Sequence, residues 1–367
     1  MEYHYTVKNM DNNDKGSCCQ PESKADTRQF IQMIDLDKSS SAPEIRETRS
    51  TISFKDRFDH FLARLGVSRM GHIVEPGIYR LGNPDEDSPV FVSANYTLSF
   101  DVLRSSLDGI DCYILVIDTK GINVWCAAGK GTFGTAEIVY RIRWSGLSDI
   151  IKHRNIILPQ LSAPGVSAHE VRRMSGFKVE YGPVRARDLP EYLKTHTATP
   201  EMRRVRFTFW DRLVLTPIEF THIILPTLIA ALILYLLAGP FAAFIAVLIA
   251  FTGAVLFPVL YPFIPTQDFS TKGLILGAIV TIPFAATIAA GSELLLWEGI
   301  VAILTIFLLT TSVTAYLALN FTGCTTHTSR TGVKKEIFRY VPLMALMAVT
   351  GMLLLIILGI TRLMEVI

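Results

Sequence analysis

Five long apolar runs in the second half of the chain constrain its fold more than any other feature. Residues 218–237, 241–261, 273–290, 300–319 and 341–360 are each nearly free of charge, and about 20 such residues carry a helix across the hydrocarbon core of a bilayer. Buried helices of globular proteins rarely run so long five times in succession. The pattern predicts an all-α transmembrane domain of five helices over 218–367. Half of the 367 residues are hydrophobic, and the excess is concentrated here. Pro226 and Pro258 fall inside these runs and Pro262 directly follows the second, where neighbouring helices can satisfy the carbonyls that proline frees.

Basic residues orient the spans. Arg203, Arg204, Arg206 and Arg212 precede the first run, Lys272 lies between the second and third, and Arg330, Lys334, Lys335 and Arg339 lie between the fourth and fifth. The other side carries the Ala238-Gly239-Pro240 turn, a loop with Glu293 and Glu298, and a tail with Arg362 alone. This asymmetry predicts a multi-pass protein of the cytoplasmic membrane, with its soluble part in the cytoplasm and its C-terminus outside. Glu219 and His222 begin the first run, where an interfacial position is the cheaper one. No span holds a run of ionisable residues, so the helices read as an anchor and docking platform in membrane lipid. Residues 201–217 form a basic linker. A net charge of +2 gives no reason to expect a nucleic-acid partner. The five cysteines show no pairing pattern, which suits a reducing compartment. Residues 1–53 are polar and without period, so they read as a disordered or weakly structured segment; no apolar stretch suggests a signal peptide.

Between these parts, residues 54–200 alternate strand-like and helix-like pieces. Phe54, Phe58, Phe61, Leu62 and Leu65 stand at helical spacing. Extended segments are expected at 72–81, 90–95, 155–158 and 177–181, and helices at 98–107, 135–143, 167–174 (with Ser167 and Glu170 as a capping box) and 189–194. Cys112–Asp118 is a continuous apolar run, the mark of a strand covered on both faces. Such alternation with short loops predicts an α/β, Rossmann-like layered domain.

The most suggestive residue is Cys126, in Asn123-Val124-Trp125-Cys126-Ala127-Ala128-Gly129-Lys130. Residues 123–126 read as a short strand that breaks into a glycine loop ahead of a helix. A thiol there, near a helix N-terminus and Lys130, favours the thiolate. Gly129, Gly131 and Gly134 satisfy the dinucleotide fingerprint, but the following strand ends in Gln160 rather than an acid. A P-loop fails, because Val124 and Gly131 stand where glycine and Ser or Thr are required. A buried cysteine closing a sheet edge is the plainest reading. Against it, Ala127, Ala128, Gly129, Gly131 and Gly134 clear side chains from a surface, as the approach of a large flat ligand to backbone would require. The fourth reading makes Cys126 an axial ligand to the metal of such a macrocycle, a haem or a corrinoid. Elsewhere, Cys18-Cys19 is a vicinal pair in a flexible tail, Cys112 reads as core, and Cys324 stands at the end of the fourth run beside Thr325 and His327.

The run GINVWCAAGKGTFGT resembles the signature of the HgcA family, membrane-anchored corrinoid proteins of microbial mercury methylation, and Asn123 to Lys130 match its N-(V/I)-W-C-A-(A/S)-G-K at every position. The stretch from Glu75 to Leu189 is also similar to the corrinoid iron–sulfur protein of acetyl-CoA synthesis. The resemblance implies a corrinoid-binding α/β domain over 54–200. It implies a methyltransferase that carries a methyl group on the cobalt of a cobalamin whose nucleotide tail is displaced. The methyl would come from a folate-linked donor and pass to Hg(II), with Cys126 as lower axial cobalt ligand and catalytic residue. Asn123, Val124, Trp125, Ala127, Ala128, Gly129, Lys130, Gly131, Thr132 and Gly134 would complete the cofactor site. Trp125 would pack on the macrocycle edge, Gly131 and Thr132 would offer backbone donors, and Cys324 would relay Hg(II). Electrons would come from HgcB, a ferredoxin-like partner with 4Fe–4S clusters. A corrinoid methyl carrier of one-carbon or acetyl-CoA metabolism, and a non-catalytic membrane protein binding a tetrapyrrole, are the alternatives.

Overall fold

The computed structural model describes residues 44–68, 71–291, 295–325 and 328–366; Cys18, Cys19, Glu293 and His327 lie outside them. The chain forms two compact units. One holds Ile73–Met202 with the chain up to Ile52, the other Ser53–His72 with the chain from Arg203.

The first unit is a mixed α/β domain. Its strands are β1 (Arg46–Thr48), β2 (Gly77–Leu81), β3 (Val90–Ala94), β4 (Cys112–Ile117), β5 (Asn155–Leu158) and β6 (Lys178–Tyr181), in the spatial order β1-β2-β4-β3-β5-β6. β4, β3, β5 and β6 run parallel, with Phe91 opposite both Ile114 and Ile157. β2 joins β4 antiparallel, Tyr79 opposite Ile114, and β1 pairs parallel to β2 at the edge. β1 falls in a stretch read as unstructured from sequence. Its three residues are polar and carry no alternation, and the long-range ties that hold it are invisible locally. The buried Arg104 donates to the carbonyls of Arg49 and Thr51 at 2.5 and 2.8 Å.

Period-two alternation along β4 sorts its side chains into two cores. Tyr113, Leu115 and Ile117 face one side, with α3 (Val124–Lys130), α4 (Thr135–Trp144) and α6 (Ala168–Ser175). Cys112, Ile114 and Val116 face the other, with α2 (Thr97–Ser106) and α7 (Leu189–Thr195). A short turn, α5 (Leu147–Ile150), precedes β5. Burial pushes the Cys112 thiol up to about 12, helped by the Asp111 charge, so this cysteine is an inert part of the core. The expected capping box of α6 does not form: Ser167 Oγ lies 3.0 Å from His169 Nδ1, and Glu170 pairs with Arg173 instead.

The second unit opens with α1 (Phe54–Arg64) and then α8 (Phe209–Leu213), each started by a capping box, Ser53 with Asp56 and Thr208 with Asp211. Five helices long and apolar enough to cross a membrane follow. They are α9 (Thr216–Ala238); α10 (Pro240–Phe251), continued through a π-turn at Thr252–Leu256 into α11 (Phe257–Leu260); α12 (Phe269–Ala290); α13 (Leu296–Phe321); and α14 (Arg330–Val366). Gly273 and Gly277 let α12 meet the backbone of α13, since a Cβ there would lie 2.5 Å from Ala315 Cα or 2.7 Å from Thr311 Cα. Small residues at this spacing are how membrane helices approach each other without a hydrophobic drive.

Lys272, read from sequence as a loop residue, is buried in the first turn of α12, and its ammonium donates to the carbonyls of Tyr261 and Ile264 at 2.9 and 2.5 Å. It thus caps the end of the preceding helix. Glu336 of α14 accepts the N–H groups of Phe269 and Ser270 at 3.2 and 3.1 Å, capping α12 from a neighbour. Arg330, Lys334, Lys335 and Arg339 likewise lie on α14 rather than in a loop.

Candidate functional site

The residues of the Cys126 motif start a helix, where the sequence suggested a strand. Asn123 is extended and its side-chain oxygen accepts the N–H of Cys126 at 2.9 Å, so it is the N-cap of α3. A short polar side chain at this position satisfies a donor the helix leaves open, and Ala127 and Ala128 favour helix thereafter. The helix stops after seven residues. Gly131 there adopts a φ of +85°, which a side chain would resist. The N–H of Phe133 returns to the Ala127 carbonyl at 3.2 Å and its ring is fully buried, pinning the exit.

Two sets of small residues separate. Ala127 and Ala128 point into the core. Gly165, in the loop after β5, lies against the same helix: a Cβ there would sit 2.5 Å from the Phe133 carbonyl oxygen and 2.9 Å from Ala128 Cα. A Cβ at Gly134 would lie 2.8 Å from the Gly131 carbonyl oxygen. These residues are small so that α3 can be packed down. Gly129 and Gly131 are exposed, and a Cβ at either would meet nothing within 4 Å. Around this cleared surface, Val124, Trp125, Cys126 and Thr132 are half-buried, while Lys130 is exposed. Cys126 and Lys130 stand four residues apart on one helix, hence on one face.

Sheet topology places this helix at a binding position. β3 and β5 are neighbours, yet the chain leaves β3 toward β4 on one side and β5 toward β6 on the other. Open α/β sheets take ligands outside the carboxyl ends of strands at such a switch point. Here α3 packs on the end of β3 and on the turn Gln160–Ser162 that follows β5.

Sequence reasoning missed what holds the loop before α3. At the end of β3, Asn95 Oδ1 accepts the Thr119 N–H (3.0 Å), the Thr119 hydroxyl (2.8 Å) and the Gly121 N–H (3.0 Å), and its amide donates to Asp118 at 3.1 Å. Asp118 in turn accepts the N–H of Lys120, itself at a φ of +57°, at 2.8 Å. An Asn at the carboxyl end of a parallel strand was the available signal; Gly165 offered only the turn-forming Pro164-Gly165. Cys324 belongs to the other unit, at the end of α13, where its half-buried thiol donates to Glu219 Oε1 of α9 at 2.9 Å. Among the described residues, no group of three or more His, Cys, Asp and Glu side chains is placed to hold an ion unaided.

An α/β unit with a thiol-bearing helix over the carboxyl ends of its sheet is therefore what this chain adds to five apolar helices. Residues 68–193 match the family model of the CO dehydrogenase/acetyl-CoA synthase delta subunit. Among curated proteins, the acetyl-CoA decarbonylase/synthase complex subunit gamma of Methanopyrus kandleri is 36% identical over 123 residues, 33% of this chain and 26% of that protein. Its counterpart in Methanocaldococcus jannaschii is 38% identical over 97 residues, 26% of this chain and 20% of that protein. Subunit gamma 1 of Methanosarcina thermophila is 32% identical over 125 residues, 33% of this chain and 26% of that protein. The chain thus spans about a quarter or less of the length of these relatives. The apolar helices lie outside the stretch that the family model matches.

Proposed function

We propose that the α/β unit binds a corrinoid at α3 and serves as a methyl carrier, with inorganic Hg(II) as methyl acceptor. The observation that carries this is Cys126, half-exposed on a helix over the sheet's switch point, beside a surface that Gly129 and Gly131 leave open. A single sulfur donor next to open backbone suits a cofactor whose other metal ligands come with it. Where a Cβ at Gly129 or Gly131 would meet nothing of this chain, a flat ring has room.

Cobalt in such a ring, when bound, supplies a centre that accepts and releases a methyl group. Cys126 would be the residue that holds this metal, through a donating sulfur that stands in for the cobalamin's own tail. Asn123 fixes the turn that presents the thiol, Gly131 ends the helix before it crowds the site, and Lys130 sets a positive charge on the thiol's face. Trp125 would flank the ring edge, and the backbone at Thr132 would offer a donor to its amides, whereas the Gly131 N–H is taken by the Ala128 carbonyl at 3.3 Å.

The match to acetyl-CoA decarbonylase/synthase subunits supports the general reading of a corrinoid methyl carrier, and a carrier within one-carbon or acetyl-CoA metabolism is its second form. Mercury is favoured by the complete N-V-W-C-A-A-G-K motif joined to five apolar helices. On this reading a folate-linked compound donates the methyl group, and a ferredoxin-like partner with 4Fe–4S clusters (HgcB) restores the reduced metal. The α/β domain of 54–200 and the basic linker of 201–217 face the cytoplasm, the helices of 218–367 cross the cytoplasmic membrane, and the C-terminus lies outside. Cys324, whose thiol donates to Glu219 at 2.9 Å, would hand on Hg(II).

The test has two stages. Reconstitution of the full chain with cobalamin should give a corrinoid spectrum that Cys126→Ala alters while the fold persists. With reductant, partner and methyl donor, wild type should methylate Hg(II) and Cys126→Ala should not. No spectral change on reconstitution would refute the cofactor; retained methylation by Cys126→Ala would refute the ligand.

A further inference from the structure

The helix α1 is turned the wrong way round for a soluble protein. Phe54, Phe58, Phe61 and Leu65 recur at i, i+4, i+7 and i+11, a single stripe along the helix. Such a stripe ordinarily packs inward. Here Phe54, Phe58 and Phe61 are 83%, 53% and 57% exposed. The opposite side of the helix, with Ala63 buried, is the one held to protein. There Asp59 accepts from His72 Nδ1 at 2.8 Å, and Asp56 closes the capping box with Ser53.

This helix belongs to the same compact unit as the apolar spans. Its end is tied to α9: Thr221 Oγ1 donates to the Leu65 carbonyl at 2.8 Å, and a Cβ at Gly66 would lie 3.2 Å from Ile218. Ile218 and Thr221 stand in the first two turns of that span, next to Glu219 and His222, which places them at the edge of the hydrocarbon. Nearby in sequence, α8 exposes Phe209 (44%) and Trp210 (70%), aromatic residues of the kind that settle at the headgroup level. Lys55, Arg57 and Arg64, all exposed, supply positive charge to α1.

We propose that α1 lies in the membrane interface, its Phe54–Phe58–Phe61 stripe sunk among the acyl chains and its basic residues against anionic headgroups. A helix with a strong apolar face and a charged remainder binds in this way, and anionic lipid adds attraction for each nearby Lys or Arg. The occupant of the stripe is the bilayer that the spans themselves require. The helix would thereby anchor the chain just before Ile73, where the α/β unit resumes.

The experiment uses the full-length chain in vesicles of phosphatidylethanolamine and phosphatidylglycerol. With photoreactive benzoylphenylalanine placed at Phe58, irradiation should yield lipid adducts on the peptide containing residues 54–65. Adducts confined to peptides of 73–202 or to a second copy of the chain would overturn the proposal, as would the absence of any adduct. The triple variant Phe54→Ser, Phe58→Ser, Phe61→Ser should lose amide-exchange protection over 54–65 in the same vesicles, with the five spans unaffected. Unchanged protection in that variant would equally overturn it.

Discussion

Two glycines near Cys126 separate packing from binding, and alanine at each gives opposite results. Gly129 lies inside α3, exposed, with nothing within 4 Å of an added Cβ. Alanine there removes the cost of glycine in a helix, so α3 should gain up to about 1 kcal/mol, or roughly fivefold less opening. Gly165 is the converse. Its Cβ would sit 2.5 Å from the Phe133 carbonyl oxygen just past α3 and 2.9 Å from Ala128 within it, where ordinary contact begins at 3.4 Å, so the Phe133 turn, α3 or the Gly165 loop must give way. Overpacking of this kind costs about 1–3 kcal/mol. Amide exchange over residues 124–130 reads both effects: slower in Gly129→Ala, faster in Gly165→Ala. Corrinoid titration supplies the second axis. Gly129→Ala should bind more weakly despite its firmer helix, because the methyl group occupies the cleared surface. If Gly129→Ala binds the cofactor as well as wild type, that surface is not where the ring lies and the site reasoning fails.

Other outcomes follow from single contacts. Asn123→Ala should cost about 1 kcal/mol through loss of the cap, raising exchange at Cys126 about fivefold, whereas Asn123→Asp should hold it. His72 is buried, which disfavours its charge, yet the Val67 carbonyl at 2.7 Å and the Asp59 carboxylate at 2.8 Å outweigh this and raise its pKa above the usual value. The stability it contributes is therefore complete below about 6.5 and lost as pH rises through the higher folded value. Exchange around residues 59–72 should quicken over that window in wild type and show no such step in His72→Gln. Lys272→Met strips one buried and one half-buried carbonyl of their donor and should cost about 1–3 kcal/mol, visible as a lower thermal midpoint in detergent.

Local pattern was enough wherever one residue's environment is set by its neighbours in sequence. The run Cys112–Ile117 announced a doubly covered strand, and the five apolar runs announced five helices. What escaped depends on partners far along the chain. Strand β1 is three polar residues held by β2 and, just past its end, by Arg104. The antiparallel pairing of β2 changes no side-chain pattern and so leaves no trace. The stretch 123–126 reads as extended because its apolar residues are β-formers, while the cap that makes it a helix is one hydrogen bond from Asn123. The place of α1 rests on a bond between Leu65 and Thr221. Of the candidate site, Cys126 stood out in the sequence through its motif. Gly165 and Asn95 were not, since their importance lies in what they touch.

The hydrogen bonds that Asn95 collects from Thr119 and Gly121 have a consequence for genetics. The loop leading to Cys126 takes its shape from a side chain on another strand, so the two positions will behave as one locus although neither touches the other. A screen for loss of the proposed activity should recover Asn95 alongside Cys126, the Asn95 alleles at lower protein abundance because they leave the Thr119 and Gly121 N–H groups without their acceptor. Restoring such alleles calls for a compensating change in the loop at 118–121 rather than at the thiol.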